Sequence, residues 1–285
     1  MGRTGGHPER VELGSDLCPE KFDRKDTMSL TNDGQGVSEI EIRLPDGVNL
    51  AQDEEWYEIE IDGETRRIRF HDYAETFSLP GAYEQLFHHE LKCDSPRTVC
   101  GLLEEQLTSE NRNPGDLRVF DVGAGNGMVG EELQGIGVEE IVGVDIIEEA
   151  AAAAERDRPG VYDEYYVLDL TEIPEPTHKE LRSRQLNCMT SVAALGFDDI
   201  PPDAFAEAYN LIEQGGLVGF SIKEEMVSGE DSSGFSRLID EGIVEGALEI
   251  KQERRYRHRL NTKGDPLYYV AMVAEKVRDL PVTAG

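Results

Sequence analysis

The sequence predicts an α/β fold, and three observations carry that prediction. From residue 96 onward, short apolar runs of strand length alternate with stretches of helical spacing, the pattern of a mostly parallel sheet covered by helices. A glycine-rich turn at residues 123–127 joins one such run to a helix start. The last two strand-like stretches, Ala247–Arg257 and Leu267–Val277, have too little chain between them for a helical crossover. They should therefore close the sheet as an antiparallel hairpin.

Residues 1–37 are rich in Gly, Asp, Glu, Lys and Ser without periodicity and read as a disordered lead. Residues 38–95 should form a small cap of β-hairpin and helix, and residues 96–285 the main domain. Val37–Leu44 alternates through Ile40, Ile42 and Leu44, which suggests a strand. Trp56–Ile61 and Thr65–Phe70 flank Asp62-Gly63, a strong hairpin signal. Tyr57, Ile59 and Ile61 should share one face with Ile68 and Phe70. Tyr83–Leu91 and Pro96–Leu107 read as helices, the second with Ser95 as N-cap and Pro96 in its first turn. Strands are expected at Leu117–Val122, Ile141–Ile147, Tyr165–Asp169, Leu186–Val192 and Leu217–Ile222, and helices at Glu148–Arg156 and Asp203–Gln214. No internal repeat is visible.

The most informative segment is Asp121-Val-Gly123-Ala-Gly125-Asn-Gly127. Glycine lets the backbone approach a ligand closely, and the free N–H groups of the following helix start point at it. A dinucleotide fingerprint, G-x-G-x-x-G directly after the strand, fails when counted from Gly123, because the sixth position is Met128. Counted from Gly125 it is met by Gly125, Gly127 and Gly130, two residues past the strand end. The pattern as it stands resembles motif I of the class I S-adenosylmethionine-dependent methyltransferases, whose first strand ends in an acid two places before G-x-G-x-G. That resemblance covers about residues 96–277 and implies a Rossmann-like, seven-stranded, mostly parallel sheet with a closing antiparallel hairpin.

The resemblance also implies S-adenosylmethionine as cofactor. It assigns the binding site to Asp121, Gly123, Ala124, Gly125, Asn126, Gly127, Asp145, Ile146, Asp169, Leu170 and Ser191. Asp145 ends the second strand about 20 residues past the loop, where a carboxylate accepts hydrogen bonds from ribose hydroxyls. Asp169 follows the third strand and would meet the adenine amino group. Two plainer roles stay open: Asp145 as the N-cap of the next helix, and Asp169 as a turn former before Thr171. Methyl transfer requires neither a metal nor a covalent nucleophile, only alignment, exclusion of water and one general base for some acceptors. His71, in His71-Asp72-Tyr73 between hairpin and core, is the candidate base. His88 and His89 are weaker candidates, and Tyr73 or Tyr83 could close over the cofactor.

Charge bounds the partners. The chain carries 59 acidic against 28 basic residues, a net charge of −31, with 20 arginines to 8 lysines. This resembles proteins of a salt-rich cytoplasm, where screening makes self-repulsion tolerable. Phosphate contacts need clustered Lys and Arg, so nucleic acid is not the expected partner. One basic run, Lys251–Arg259, reads as a charged edge strand, with an anionic-substrate or RNA contact as the sharper alternative. No apolar stretch is long enough for a membrane span, and no signal peptide is visible. Four cysteines without C-x-x-C spacing point to a reducing, cytoplasmic setting without a metal. After the fourth strand, Ser191–Phe197 lacks the Asn/Asp-Pro-Pro-Tyr/Phe motif of enzymes that methylate amide or base nitrogens. The expected acceptor is therefore a small molecule methylated at O or N. RNA or protein methylation, an NAD(P)-dependent oxidoreductase using Gly125, Gly127 and Gly130, and a non-catalytic cofactor-binding scaffold are the alternatives. Oligomeric state is not encoded in any feature of the sequence.

Overall fold

The structure, a computed structural model, describes residues 40–282 except 46, 49, 196–198 and 228–233. The lead expected over 1–37, together with Cys18, Gly196 and Phe197, lies outside the described residues. Ile42–Arg43 (β1), Trp56–Ile61 (β2) and Glu64–Arg69 (β3) form an antiparallel sheet. At its turn, Asp62 (φ 54°) and Gly63 (φ 79°) both adopt left-handed backbone, the conformation whose twist suits a two-residue hairpin loop. The alternation lands as predicted: Tyr57, Ile59, Ile68 and Phe70 are buried and pack with Leu86 and Leu91, while Ile61 is half-buried at the margin.

Tyr73–Ser78 forms a short helix (α1). The helix expected over Tyr83–Leu91 is a π-helical segment, Glu84–Glu90, in which Leu91 N–H reaches back five residues to the Leu86 carbonyl at 2.9 Å. Ser95–Glu110 (α2) begins one residue earlier than expected. Asp94, not Ser95, is its N-cap, and the Ser95 hydroxyl is engaged elsewhere.

The main sheet follows. Arg118–Val122 (β4) leads to Met128–Gly135 (α3), Glu140–Asp145 (β5), Glu148–Asp157 (α4) and Glu164–Val167 (β6). Glu175–Ser183 (α5), Cys188–Ser191 (β7), Pro202–Leu211 (α6) and Leu217–Lys223 (β8) continue it. Glu224–Val227 (α7), Phe235–Val244 (α8), Leu248–Leu260 (β9) and Pro266–Lys276 (β10) end it. The seven strands lie in the order β6-β5-β4-β7-β8-β10-β9. β10 alone runs against its neighbours, wedged between β8 and β9.

Successive residues of β4 serve opposite faces, as the pleat requires. Phe120 and Val122 join Met189, Phe220, Phe205, Tyr209 and Phe235 on one side. Val119 joins Val99, Leu103, Leu133, Cys188 and Val273 on the other. Both faces are thus covered by helices, the condition for a parallel sheet. Strand order reverses direction at β4, whose neighbours are β5 and β7. Open α/β sheets bind ligands in the crevice at the carboxyl ends of the strands at such a point.

Candidate active site

The glycine loop sits in that crevice. Gly123 N–H and Ala124 N–H both donate to the Val144 carbonyl, at 2.9 and 3.0 Å, which pins the loop to the end of β5. Gly123 has φ 73°, and a Cβ there would stand 2.7 Å from the Ala194 Cβ; only glycine satisfies both constraints. At Gly125 (φ 54°) a Cβ would approach the Phe77 ring at 3.3 Å. Asp145 closes the arrangement by accepting from Gly125 N–H at 3.0 Å and Ile147 N–H at 3.1 Å. Burial pushes its carboxyl pKa up, and those backbone donors oppose the shift.

The expected site residues divide into two groups. Gly123, Gly125, Asp145, Ile146, Asp169, Leu170 and His71 line one cleft. Ile146 is 61% exposed there, an apolar surface with no protein cover. Asp169 also serves as a turn former: its Oδ1 accepts from Thr171 N–H at 2.8 Å and the Thr171 hydroxyl at 2.7 Å. The second group lies behind the cleft wall. Ala124 and Asn126 are buried, and Gly127 caps α3. Ser191 is buried at the end of β7, and its hydroxyl has no partner among the described residues. Asp121 does not line the cleft. Its carboxylate accepts from the Tyr162 hydroxyl at 2.8 Å and the Thr190 hydroxyl at 2.7 Å. Burial pushes the Asp121 pKa up to about 6, against the pull of those two donors.

Sequence reasoning missed the groups that hold the loop. Tyr165 donates its hydroxyl to the Gly125 carbonyl at 2.8 Å, and Tyr162 reaches the Ala124 carbonyl at 3.3 Å. Arg158 donates to the Asn126 carbonyl at 3.3 Å. These follow α4 in the sequence and carry no motif. A roof of aromatic rings from α1, Tyr83 and the π-helical segment covers the loop, with Phe77 stacked on Tyr83 at 4.7 Å and Phe87 tilted against Tyr83 at 4.7 Å. Tyr73 and Tyr83 line the cleft, and burial pushes both hydroxyl pKa values up. The remaining histidine candidates, His88 and His89, meet edge to face and do not line the cleft.

His71 Nδ1 lies 3.7 Å from Asp199 Oδ2, a partner no motif signalled. Both residues, with Tyr73, Tyr83 and Ala193, also line a second hollow that adjoins the cleft. Among the described residues, no group of three His, Cys, Asp or Glu could hold a metal ion, and no helix is long and apolar enough to cross a membrane.

Residues 120–220 match a family model described as a methyltransferase domain. Solved structures similar to the chain include an S-adenosylmethionine-dependent methyltransferase from Clostridium acetobutylicum, at 12% identity over 68% of this chain and 96% of that one, TM-score 0.46. Magnesium protoporphyrin IX methyltransferase from Synechocystis PCC 6803 matches at 15% identity over 64% and 79%, TM-score 0.44. A ribosomal protein methylase from Lactobacillus delbrueckii subsp. bulgaricus matches at 16% identity over 63% and 77%, TM-score 0.44. No curated protein matches the chain. The family match thus makes residues 120–220 a methyltransferase domain, and the glycine loop and the sheet order agree with it.

Proposed function

We propose that the enzyme transfers a methyl group to an oxygen or nitrogen atom of a small molecule, with residues 38–95 as a cap over the 96–285 domain. One observation carries this reading: the glycine-loop cleft and the adjoining hollow share His71, Tyr73, Tyr83, Ala193 and Asp199 as a common wall. That wall is where an acceptor and the cofactor would meet. When bound, S-adenosylmethionine supplies a methyl carbon made electrophilic by its sulfonium.

The chain's own residues do the rest. Gly123 and Gly125 let the backbone come against the ligand, and Asp145 accepts from ribose hydroxyls with the lone pairs its two backbone donors leave free. Ile146 and Leu170 offer apolar contact to the adenine, beside Asp169. Asp121, Ala124, Asn126, Gly127 and Ser191 serve the site by holding the loop and the strand ends from behind. His71, oriented by Asp199, takes the proton of the acceptor. The aromatic roof keeps water from the reacting atoms.

A net charge of −31 disfavours nucleic acid as the acceptor and fits a salt-rich cytoplasm. The free thiols of Cys93, Cys100 and Cys188 fit a reducing compartment.

Calorimetry tests the reading. S-adenosylmethionine and S-adenosylhomocysteine should both bind, and NADH should not. Asp145→Ala should weaken S-adenosylhomocysteine by about 1–3 kcal/mol, the range for hydrogen bonds to a charged group. Unchanged affinity in that variant removes Asp145 from the site.

A further inference from the structure

The wall of the cleft contains a strained residue. Among the described residues, five other than glycine have positive φ: Asp62, Lys92, Asn111, Gln185 and Ala193. Ala193, at φ 57°, is the one of the five that lines the cleft. In this conformation its Cβ crowds the following carbonyl, and alanine has no polar side chain to offset that locally. Such strain persists where the surroundings over-determine it, and it clusters at functional sites.

What holds Ala193 is a side chain of the neighbouring strand. The β7–β8 register ends at Ser191↔Phe220, so the chain leaves the sheet at Val192. One residue further along β8, the Ser221 hydroxyl takes over and accepts from Ala193 N–H at 2.9 Å. Ser221 is fully buried and paired with Ala271 of β10, so its oxygen is fixed by the sheet itself. The Ser191 hydroxyl, two residues before Ala193, is buried as well but has no partner among the described residues. It adds nothing to the hold on the turn.

The hold reaches the glycine loop. Val192, Ala193 and Ala194 all line the cleft. The Ala194 Cβ lies 2.7 Å from where a Cβ on Gly123 would stand, so the turn packs directly on the loop. Asp145, Ile146, Asp169 and Leu170, the residues assigned above to ribose and adenine, follow β5 and β6. The turn follows β7, on the other side of β4. A ligand whose nucleoside lies on the β5 side therefore meets this turn with its opposite, reacting end.

We propose that Ser221 is a positioning residue for methyl transfer: its hydroxyl keeps Ala193 in left-handed backbone and so fixes the Val192–Ala194 wall of the cleft. This rests on the methyl-transfer reading above and adds to it a residue that touches neither cofactor nor acceptor.

Amide exchange and calorimetry on the full chain test it. In the ligand-free protein, Ala193 N–H should exchange at least a hundredfold more slowly than in an unstructured peptide, although it lies outside the strand ladder. Ser221→Ala should speed that exchange at least tenfold and weaken S-adenosylhomocysteine at least fivefold. Adding Ala193→Gly to Ser221→Ala should restore more than half of the lost affinity on a logarithmic scale, because glycine holds positive φ without help. A merely structural loss would not respond to that second change. Ser95→Ala, which deletes another fully buried hydroxyl away from the turn, should leave the affinity within twofold. Ala193 exchange at the unstructured rate, unchanged affinity in Ser221→Ala, no recovery in the double variant, or an equal loss in Ser95→Ala overturns the proposal. The wild-type exchange rate needs no variant, so it decides the matter even if Ser221→Ala fails to fold. Failure of the wild type to bind S-adenosylhomocysteine strikes the cofactor reading instead, and amide exchange then decides whether Ser221 holds the turn.

Discussion

The glycine-loop cleft and the hollow behind it were built from the chain in different ways. The cleft comes mostly from consecutive segments, with β4, the turn, α3 and β5 following one another in the sequence. Gly125 and Asp145, which tie it together, stand 20 positions apart. The hollow draws on segments from Gln52 to Tyr269, and its central ion pair, Glu55–Arg259, spans 204 positions. A strand, a tight turn and a helix start leave their pattern in neighbouring residues. A pocket whose walls meet only in the folded chain leaves none.

The largest effect that tests this contrast lies in the non-local half. Glu55 is 1% and Arg259 3% exposed, so Glu55→Ala strands a buried guanidinium. It should destabilise the protein by about 3–5 kcal/mol, the cost of breaking a buried pair from one side. Urea unfolding measures this. A loss under about 1 kcal/mol would mean that the hollow is not organised by this pair.

Next in size is a pH effect in the local half. Asp121 has a folded pKa of about 6, well above the ordinary carboxylate value of about 3.9. A carboxyl raised by folding holds its proton more tightly in the folded state than in the unfolded chain. Its contribution therefore favours the fold below about pH 4 and is lost as pH rises through 6, by about 2–3 kcal/mol in all. Other carboxylates titrate over the same range, so the quantity to read is wild type minus Asp121→Asn at pH 4 and at pH 7. That difference should shift by about 2–3 kcal/mol, and a flat difference would place Asp121 in a more hydrated setting.

The same contrast explains what was legible. The sheet, the closing hairpin, the glycine loop and the placing of Asp145 at a strand end could be read from runs and spacings. The short helix α1 and helix α5 went unassigned because their sparse apolar positions give no clear period; α8 went unassigned although Phe235, Leu238, Ile239 and Gly242 stand at i, i+3, i+4 and i+7. Ser95 has the sequence of an N-cap, yet its hydroxyl links Tyr256 to His258, residues more than 160 positions away. Arg259 belongs by alternation with the exposed cations of β9, and the bulge at His258 turns it inward onto Glu55. Asp121 matches the motif I acid, but its placement under the loop depends on Tyr162 and Thr190, which the motif does not mention.

The smallest effect asks whether the division is really between cleft and cap or between local and distant encoding. The cap's own hairpin favours the second: Asp62-Gly63 and the flanking alternation were readable from the sequence, and β2–β3 formed at the expected turn. Gly63 has φ 79° and nothing within 4 Å of where a Cβ would stand, so Gly63→Ala meets backbone strain without a clash. It should destabilise the protein by about 1–2 kcal/mol, the penalty for an L-residue in left-handed backbone. S-adenosylhomocysteine affinity should not change, because the turn touches neither hollow. A urea midpoint that does not move would mean that the turn relaxes into another type at no cost, and that contacts from the rest of the chain, not Asp62-Gly63, set the hairpin register. A shift in ligand affinity would instead couple the hairpin to the roof, through Phe70, which meets Phe87 edge-on at 5.8 Å, or through Tyr57, whose hydroxyl lies 3.0 Å from Thr76 Oγ1 of α1.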